Sequence, residues 1–285
     1  MADRIKFLQV TPLSRAPEEN FRQPWFAFQQ PVPMAGRLML GVSAWILFLG
    51  LWQYFAMADY APRRLFPPPT DVITALYTLF AEQSFHLDVW SSLRRILISF
   101  SLAVLIALPL GLLMGAFPRV EAFFNPLVSP FRYLPAPAFI PLLLMWMGAD
   151  EGQKIGLLFL GVIWFLTTLI MDAVKNVRME LIETALTLGA SRRQVLSSVL
   201  LRAAAPGIVD TCRQMLAVSW TYLVIAEIVA TTDGIGAMMM RARRFVNVDD
   251  IMAGIVIIGL LGLILDIFFR ALHWWWFPHL RKTAH

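Results

Sequence analysis

Six apolar runs, each about twenty residues long, dictate most of what this chain can become. They lie at 37–58, 93–117, 122–147, 156–174, 206–230 and 251–272. At ~1.5 Å per helical residue each is long enough to cross a hydrocarbon core of ~30 Å. The expected fold class is an all-α polytopic membrane protein with about six transmembrane helices. Composition agrees. Only 15% of the 285 residues are charged, where a soluble domain carries about 25%, and the mean hydropathy is +0.65. A net charge of +5 fits basic flanks beside lipid headgroups, so the expected partner is membrane lipid and not nucleic acid. The single cysteine, Cys212, makes no internal disulfide, and no Cys/His cluster has zinc spacing, so no metal site is expected.

The runs organise the rest. Residues 1–36 carry Arg4, Lys6, Arg15 and Arg22 without an apolar core of the secretory kind, which reads as an uncleaved, poorly ordered polar cytoplasmic tail. Trp25, Phe26 and Phe28 in it are suited to the membrane interface. The first transmembrane helix occupies 37–58, an outer loop 59–92, a transmembrane core 93–272 and a cytoplasmic tail 273–285. In the outer loop, "FPPPTDV" ends one helix and starts another, with Thr70 as N-cap, Asp71 in the first turn, and Val72, Leu76 and Phe80 on one face.

Six spans place both termini on one side. With the termini inside, thirteen lysines and arginines flank the inner ends and eight the outer ends, so the bias favours cytoplasmic termini. "MRARRF" (Met240 to Phe245) runs against that bias. Either the orientation is reversed or Arg241, Arg243 and Arg244 form a solvated loop or an outer basic rim that draws in anions or an acidic protein.

The third run contains Pro126, Pro130, Pro135, Pro137 and Pro141. Each removes a backbone donor and disfavours the helical region before it. Such a segment survives at membrane depth only when buried in protein or lining a cavity. It reads as a kinked helix among neighbours or as the lining of a pathway. Arg132 on this segment and Glu227 near the outer end of the fifth span are the open ionisable groups, because charge at depth is costly. With Pro135, Pro137, Trp220 and Tyr222 they are the pathway candidates. Asp210 with Arg213, and Asp266 with Arg270, are spaced for structural ion pairs on one helix face.

Between the fourth and fifth spans lies "ETALTLGASRRQVLSSVLLRAAAPGI" (Glu183 to Ile208), too polar to cross. Met179, Ile182 and Leu186 make one apolar face, and Val195, Leu196, Val199 and Leu200 another. Ser191 with Gln194 supplies a capping box, and Gly189 the bend. Periodicity gives two short amphipathic helices at a tight corner, which fits either a connector lying on the membrane or a rigid plug for another protein's groove.

This segment resembles the cytoplasmic EAA loop of ATP-binding-cassette importer permeases. Glu183, Thr184 and Ala185 occupy the triplet, Gly189 follows after three residues, and Val199 and Leu201 stand at the Ile and Leu positions. Thr184 replaces an alanine. Arg202 replaces the closing proline, so the helix stop is expected from Pro206. "LFPPPTDV", "SLRR", "RYLPAPAFIPLLLMWMGADEGQK", "AEIVATTDGIG" and "DDIMAGIVIIGLLGLILD" are similar to the nitrate/taurine/aliphatic-sulfonate branch of these permeases.

The resemblance implies a type I importer permease (MetI-like) fold in a bacterial inner membrane, with the loop 177–204 as coupling element. Its contact residues would be Glu183, Thr184, Ala185, Gly189, Ala190, Ser191, Arg192 and Arg193. It also implies a second permease copy, two ATPase subunits that hold ATP and Mg, and an extracytoplasmic solute-binding protein. The chain itself has no G-x-x-x-x-G-K-[ST], so no cofactor or catalytic residue is expected in it. The alternative is a self-contained secondary transporter, which also uses broken helices at mid-depth. An intramembrane enzyme ranks last, without H-E-x-x-H, G-x-S-x-G or paired membrane aspartates.

Overall fold

The computed structural model describes residues 32–58, 62–229 and 232–278. They fall into two units, one ending at Leu51 and one beginning at Trp52. The first contains the greater part of α1 (Met34–Met57), which is long and apolar enough to cross a membrane. The second carries α2 (Pro69–Glu82), α3 (Phe85–Ala116), α4 (Pro118–Phe131), a 3-10 turn (Ala136–Phe139), α5 (Ile140–Met147) and α6 (Glu151–Lys175). It continues with α7 (Met179–Thr187), α8 (Arg192–Gln194), a π-helical segment (Val195–Leu200), α9 (Leu201–Val229), α10 (Ile235–Arg244) and α11 (Val248–Trp276). The expected all-α architecture is what the described residues form: among them five helices qualify as spans, or six if one bent pair counts as a span.

The centre of the second unit is α3, α6 and α9 packed side by side. Lipid tails offer no hydrophobic drive between helices, so close backbone approach has to supply the contact. Ala103, Ala107, Gly111 and Gly115, spaced by four along α3, provide it. The two alanines are fully buried. A Cβ on Gly111 would sit 2.7 Å from the Thr167 carbonyl oxygen, and one on Gly115 2.6 Å from Val174 Cβ. The Phe131 ring stacks on Trp164 and joins α4 to α6.

Five expectations change. The second span begins at Phe85 and not at 93. In α2 the cap is Pro68 with Pro69 at the first helical position, and Thr70 lies inside the helix; proline's fixed φ suits that first position. The buried face of α2 is Val72, Ala75 and Leu79, while Phe80 is exposed. The third run is more than kinked: α4 and the 3-10 turn with α5 meet at 83° across the break at 132–135. Pro135, Pro137 and Pro141 cannot donate to the preceding turn, so no single helix survives them.

The last correction concerns Arg202 and Pro206. No stop occurs there, because Arg192–Val229 is one continuous 38-residue helix. Pro206 lies within it and removes only the bond to the Arg202 carbonyl. Packed neighbours make that loss tolerable in a membrane helix.

The corner after α10 is strained. The Val246 N–H bonds to the Arg243 carbonyl at 3.1 Å and the Asn247 N–H to the Ala242 carbonyl at 3.0 Å, the pair of bonds that closes a helix around a left-handed residue. That residue is Val246 at φ 59°, where a β-branched side chain is out of place. Val246→Gly is expected to stabilise the chain by ~1 kcal/mol, read as a higher Tm in detergent. A lower Tm would show that the valine side chain contributes more than its strain costs.

Candidate functional site

Two features stand at opposite ends of the same helices. At one end is the corner between α7 and α8. The Gly189 N–H bonds to the Leu186 carbonyl and the Ala190 N–H to the Ala185 carbonyl, both at 3.0 Å. This closes α7 around Gly189 in the left-handed region, at φ 84°. Ser191 then caps the next helix. Its N–H donates to Gln194 Oε1 at 2.8 Å, and its Oγ accepts from the Gln194 N–H at 3.4 Å. The expected capping box and bend are therefore present, back to back, with a single residue between them. Thr184 Oγ1 donates to the Glu180 carbonyl at 2.6 Å, which holds the polar side of α7 in place.

The corner is anchored on one side only. Val195 and Leu200 are buried, Ile182, Ala185 and Ala190 are packed against the core, and α7 itself buries no residue fully. Glu183, Thr184, Gly189, Ser191, Arg192 and Arg193 are all exposed. So are Met179, Leu181, Leu186 and, at 83%, Leu188. Beneath the corner a cavity of about 450 Å³ is lined by Phe117, Val174, Ile182, Leu196 and others. Lys175 and Glu121, 2.5 Å apart, close its rim and tie α6 to the start of α4. The Glu180 carboxyl is held below the usual range by its own backbone and by Arg178.

The other end is built around Arg95, which sequence reasoning took for a flanking cation. Its side chain is fully buried, and so is that of Glu227, 2.6 Å away. Nε and Nη2 reach Glu151 at the start of α6, at 3.0 and 2.6 Å. Nη2 also donates to Asp233 Oδ1 at 2.8 Å, and Nη1 to the Asp233 carbonyl at 3.1 Å. All five guanidinium N–H groups are thus used. Glu227 is further held by Ser92 Oγ at 2.7 Å and the Gly236 N–H at 2.8 Å. Glu151 also binds Lys154 at 2.9 Å and approaches Arg94 at 3.6 Å. Gly234 lies against this hub at φ 107°, where a Cβ would come within 2.5 Å of both Arg95 Nη1 and Glu227 Oε1. Burial pushes the Asp233 carboxyl up, but Ser91, Arg95 and Lys154 outweigh it and hold it below its ordinary value.

A signal for the hub was available. Ser92, Arg95 and Ser99 fall on one face of α3 and are all buried, and a polar stripe on an otherwise apolar span faces the bundle interior. The same geometry accounts for the cations that opposed the orientation count. Arg63 pairs with Asp71 and Arg241 with Asp88, and Arg94, Arg95 and Lys154 pair within the hub. Arg63 holds the Asp71 carboxyl below its ordinary value. Among the described residues Arg64, Arg243 and Arg244 have no ion pair.

The pathway candidates are not gathered in one cluster of bonds. Arg132 lies at the break between α4 and α5. It donates to Ser129 Oγ at 3.3 Å and lies 5.9 Å over the Tyr133 ring, and its buried Nε has no partner among the described residues. Pro135 is exposed and Pro137 half-buried on the same turn. Trp220 is buried with its indole N–H unpartnered among the described residues, and Tyr222 packs over Gly161. Glu227 belongs to the hub. The two expected structural pairs are present, Asp210 with Arg213 at 3.7 Å and Asp266 with Arg270 at 2.7 Å, and Arg213 joins Asp266 across helices at 3.0 Å.

Residues 107–282 match a family described as "Binding-protein-dependent transport system inner membrane component". Among relatives, the taurine transport system permease protein TauC of Escherichia coli (strain K12) is 34% identical over 245 residues, covering 84% of this chain and 89% of the relative. The putative aliphatic sulfonates transport permease protein SsuC of Bacillus subtilis (strain 168) is 29% identical, over 82% and 85% of the two chains. The bicarbonate transport system permease protein CmpB of Synechococcus elongatus is 26% identical, over 84% and 89%. In fold, the chain is similar to one from the inward-facing MetNI methionine ABC transporter, with TM-score 0.57 and 21% identity over 67% of this chain and 98% of that one. A chain from an amino acid ABC transporter gives 0.55 and 15% over 72% and 97%.

Proposed function

This chain belongs to the family of binding-protein-dependent transport system inner membrane components, and from that premise we propose that it is the transmembrane permease subunit of an ATP-driven importer for a small anion of the sulfonate, taurine, nitrate or bicarbonate kind. It works as one of two permease copies with two separate ATPase subunits and an extracytoplasmic solute-binding protein. The termini and the α7–α8 corner are cytoplasmic, and the Arg95 hub lies at the outer end. ATP and Mg belong to the partner ATPase, and this chain supplies the pathway and the coupling element. The named solutes of TauC, SsuC and CmpB support the substrate class.

The observation that carries the coupling role is the exposed, doubly capped corner. Its shape is fixed locally by Gly189 and Ser191, while its outer surface, with Leu188 at the tip, is left uncovered. A connector resting on lipid needs no such rigid turn; an element that inserts into another protein's groove does. The test is purification in detergent after co-expression with the neighbouring genes. An ATPase subunit should accompany the permease. A permease that transports the solute while never carrying an ATPase would return the account to a secondary transporter.

The break at 132–135 is the pathway segment, because irregular backbone at membrane depth must be covered by protein or line a cavity. Arg132, which lies on that break and donates to Ser129 Oγ among the described residues, is the cation offered to a passing anion there. Glu227 leaves the pathway list because Arg95, Ser92 and Gly236 hold its carboxylate. Arg132→Ala is expected to lower uptake about tenfold, the loss of one charge-assisted bond, with assembly intact. Unchanged uptake would remove Arg132 from the pathway.

A further inference from the structure

The hub is built from contacts of two kinds. Arg95 and Glu227 are sealed from solvent, and Glu151 is shared among Arg95, Lys154 and Arg94. These form a permanent base that ties the outer ends of α3, α6 and α9 together. The loop leading into α10 is held differently, by two partly exposed ion pairs. Asp233, 42% exposed, sits on Arg95 at 2.8 Å. Arg241, 48% exposed, sits on Asp88 at 2.6 Å and also donates to the Thr232 carbonyl at 2.8 Å. Asp88 in turn accepts from the Gly234 N–H at 2.7 Å. Solvent can take over both outer partners, Asp233 and Arg241, when these pairs part, so opening them costs far less than opening the base.

The position of this loop matters as much as its strength. The continuous helix Arg192–Val229 runs from the α7–α8 corner at one end to the loop at the other. Beside it α6 runs from Glu151 in the hub to Lys175 just before α7. Both arms of the corner therefore end at the Arg95 hub, and the two releasable pairs fasten to α3 the loop and α10, which packs against the end of the long helix.

We propose that Asp233 and Arg241 are positioning residues of the transport cycle: an ionic latch at the outer end that, while closed, holds the long helix and with it the α7–α8 corner in register. Opening it lets the helix tilt on the permanent base and shifts the corner at the far end. The proposal rests on the importer reading for its functional consequence but not for its physical content. Removing Asp233 leaves Arg95 paired with Glu227 and Glu151, and removing Arg241 leaves the Asp88 carboxylate, 14% exposed, held by the Gly234 N–H.

The test is hydrogen–deuterium exchange on the full chain in lipid nanodiscs, comparing wild type with Asp233→Asn/Arg241→Gln. Exchange is expected to rise about threefold or more both at 232–240 and at 179–195, with the centre of α3 unchanged. High salt on the wild type should move both segments the same way, because exposed pairs are screened. A merely local tether would loosen 232–240 alone, and that result overturns the proposal, as does no change in either segment. If the double variant is poorly folded, Asp233→Asn alone is read by the same two segments. With the ATPase reconstituted, the double variant should hydrolyse ATP several-fold faster than wild type without the binding protein. An ATPase that never associates with the wild type would sink the importer reading while the exchange result still decides the latch.

Discussion

Arg95→Ala is expected to cost the chain its folded state. The substitution leaves Glu227, with no exposed surface, as a buried carboxylate without its cation. Breaking a buried pair from one side costs about 3–5 kcal/mol, a large share of the 5–15 kcal/mol typical of a whole domain. The loss is greater than one pair, because the same guanidinium also holds Glu151 and Asp233. Arg95→Lys should recover little, since an ammonium cannot reproduce five N–H donors in a fixed plane. Arg95→Met/Glu227→Gln should recover more, since it removes both buried charges. The measurement is the yield of monodisperse protein in detergent and its Tm. An Arg95→Ala protein with wild-type yield and Tm would show that the hub does not hold the outer ends together.

The second large effect is expected at Gly189, and it should be functional and not structural. Valine at φ 84° is strained by ~1–2 kcal/mol, and the backbone will relieve that by opening the turn between α7 and α8. α7 buries no residue fully, so the core should survive and the chain should still assemble. The corner would then meet the ATPase in the wrong shape. In proteoliposomes Gly189→Val is expected to cut uptake at least tenfold while ATP hydrolysis continues, and Glu183→Lys, which reverses a charge on the exposed side of α7, should act in the same direction. Normal binding-protein-stimulated uptake in Gly189→Val would remove the corner from the coupling step.

What the sequence could reveal followed from how local each interaction is. The corner was legible because its parts sit within a few residues of one another: Gly189 for the left-handed turn, Ser191 and Gln194 for the capping box. The span count was legible because length and apolarity alone decide it. The prolines of the third run announced a break, but an 83° bend depends on how α4 and α5 pack against α6. Pro206 looked like a stop because a proline ends a solvated helix, whereas packed neighbours in lipid let this one continue.

The hub was the hardest to see. Arg95 meets Glu227 and Asp233 across 132 and 138 residues of chain, a distance that no local pattern reports. Counting lysines and arginines by side placed Arg95, Lys154 and Arg241 among the eight at the outer ends. In the folded chain they are paired, and the cluster "MRARRF" loses Arg241 to Asp88. The polar stripe Ser92, Arg95, Ser99 was the one sequence trace of this, and it pointed inward.

The most direct test of the central claim is a crosslink from the tip of the corner. The only cysteine, Cys212, is buried, so Leu188→Cys would place a single accessible thiol on the most exposed apolar residue of the corner. In vesicles that take up the solute at the expense of ATP, a short bifunctional reagent at that thiol should join this chain to its ATPase subunit. The yield should change when nucleotide is trapped. Uptake-competent vesicles in which this thiol reaches lipid or a second permease copy, and never the ATPase, would contradict the account.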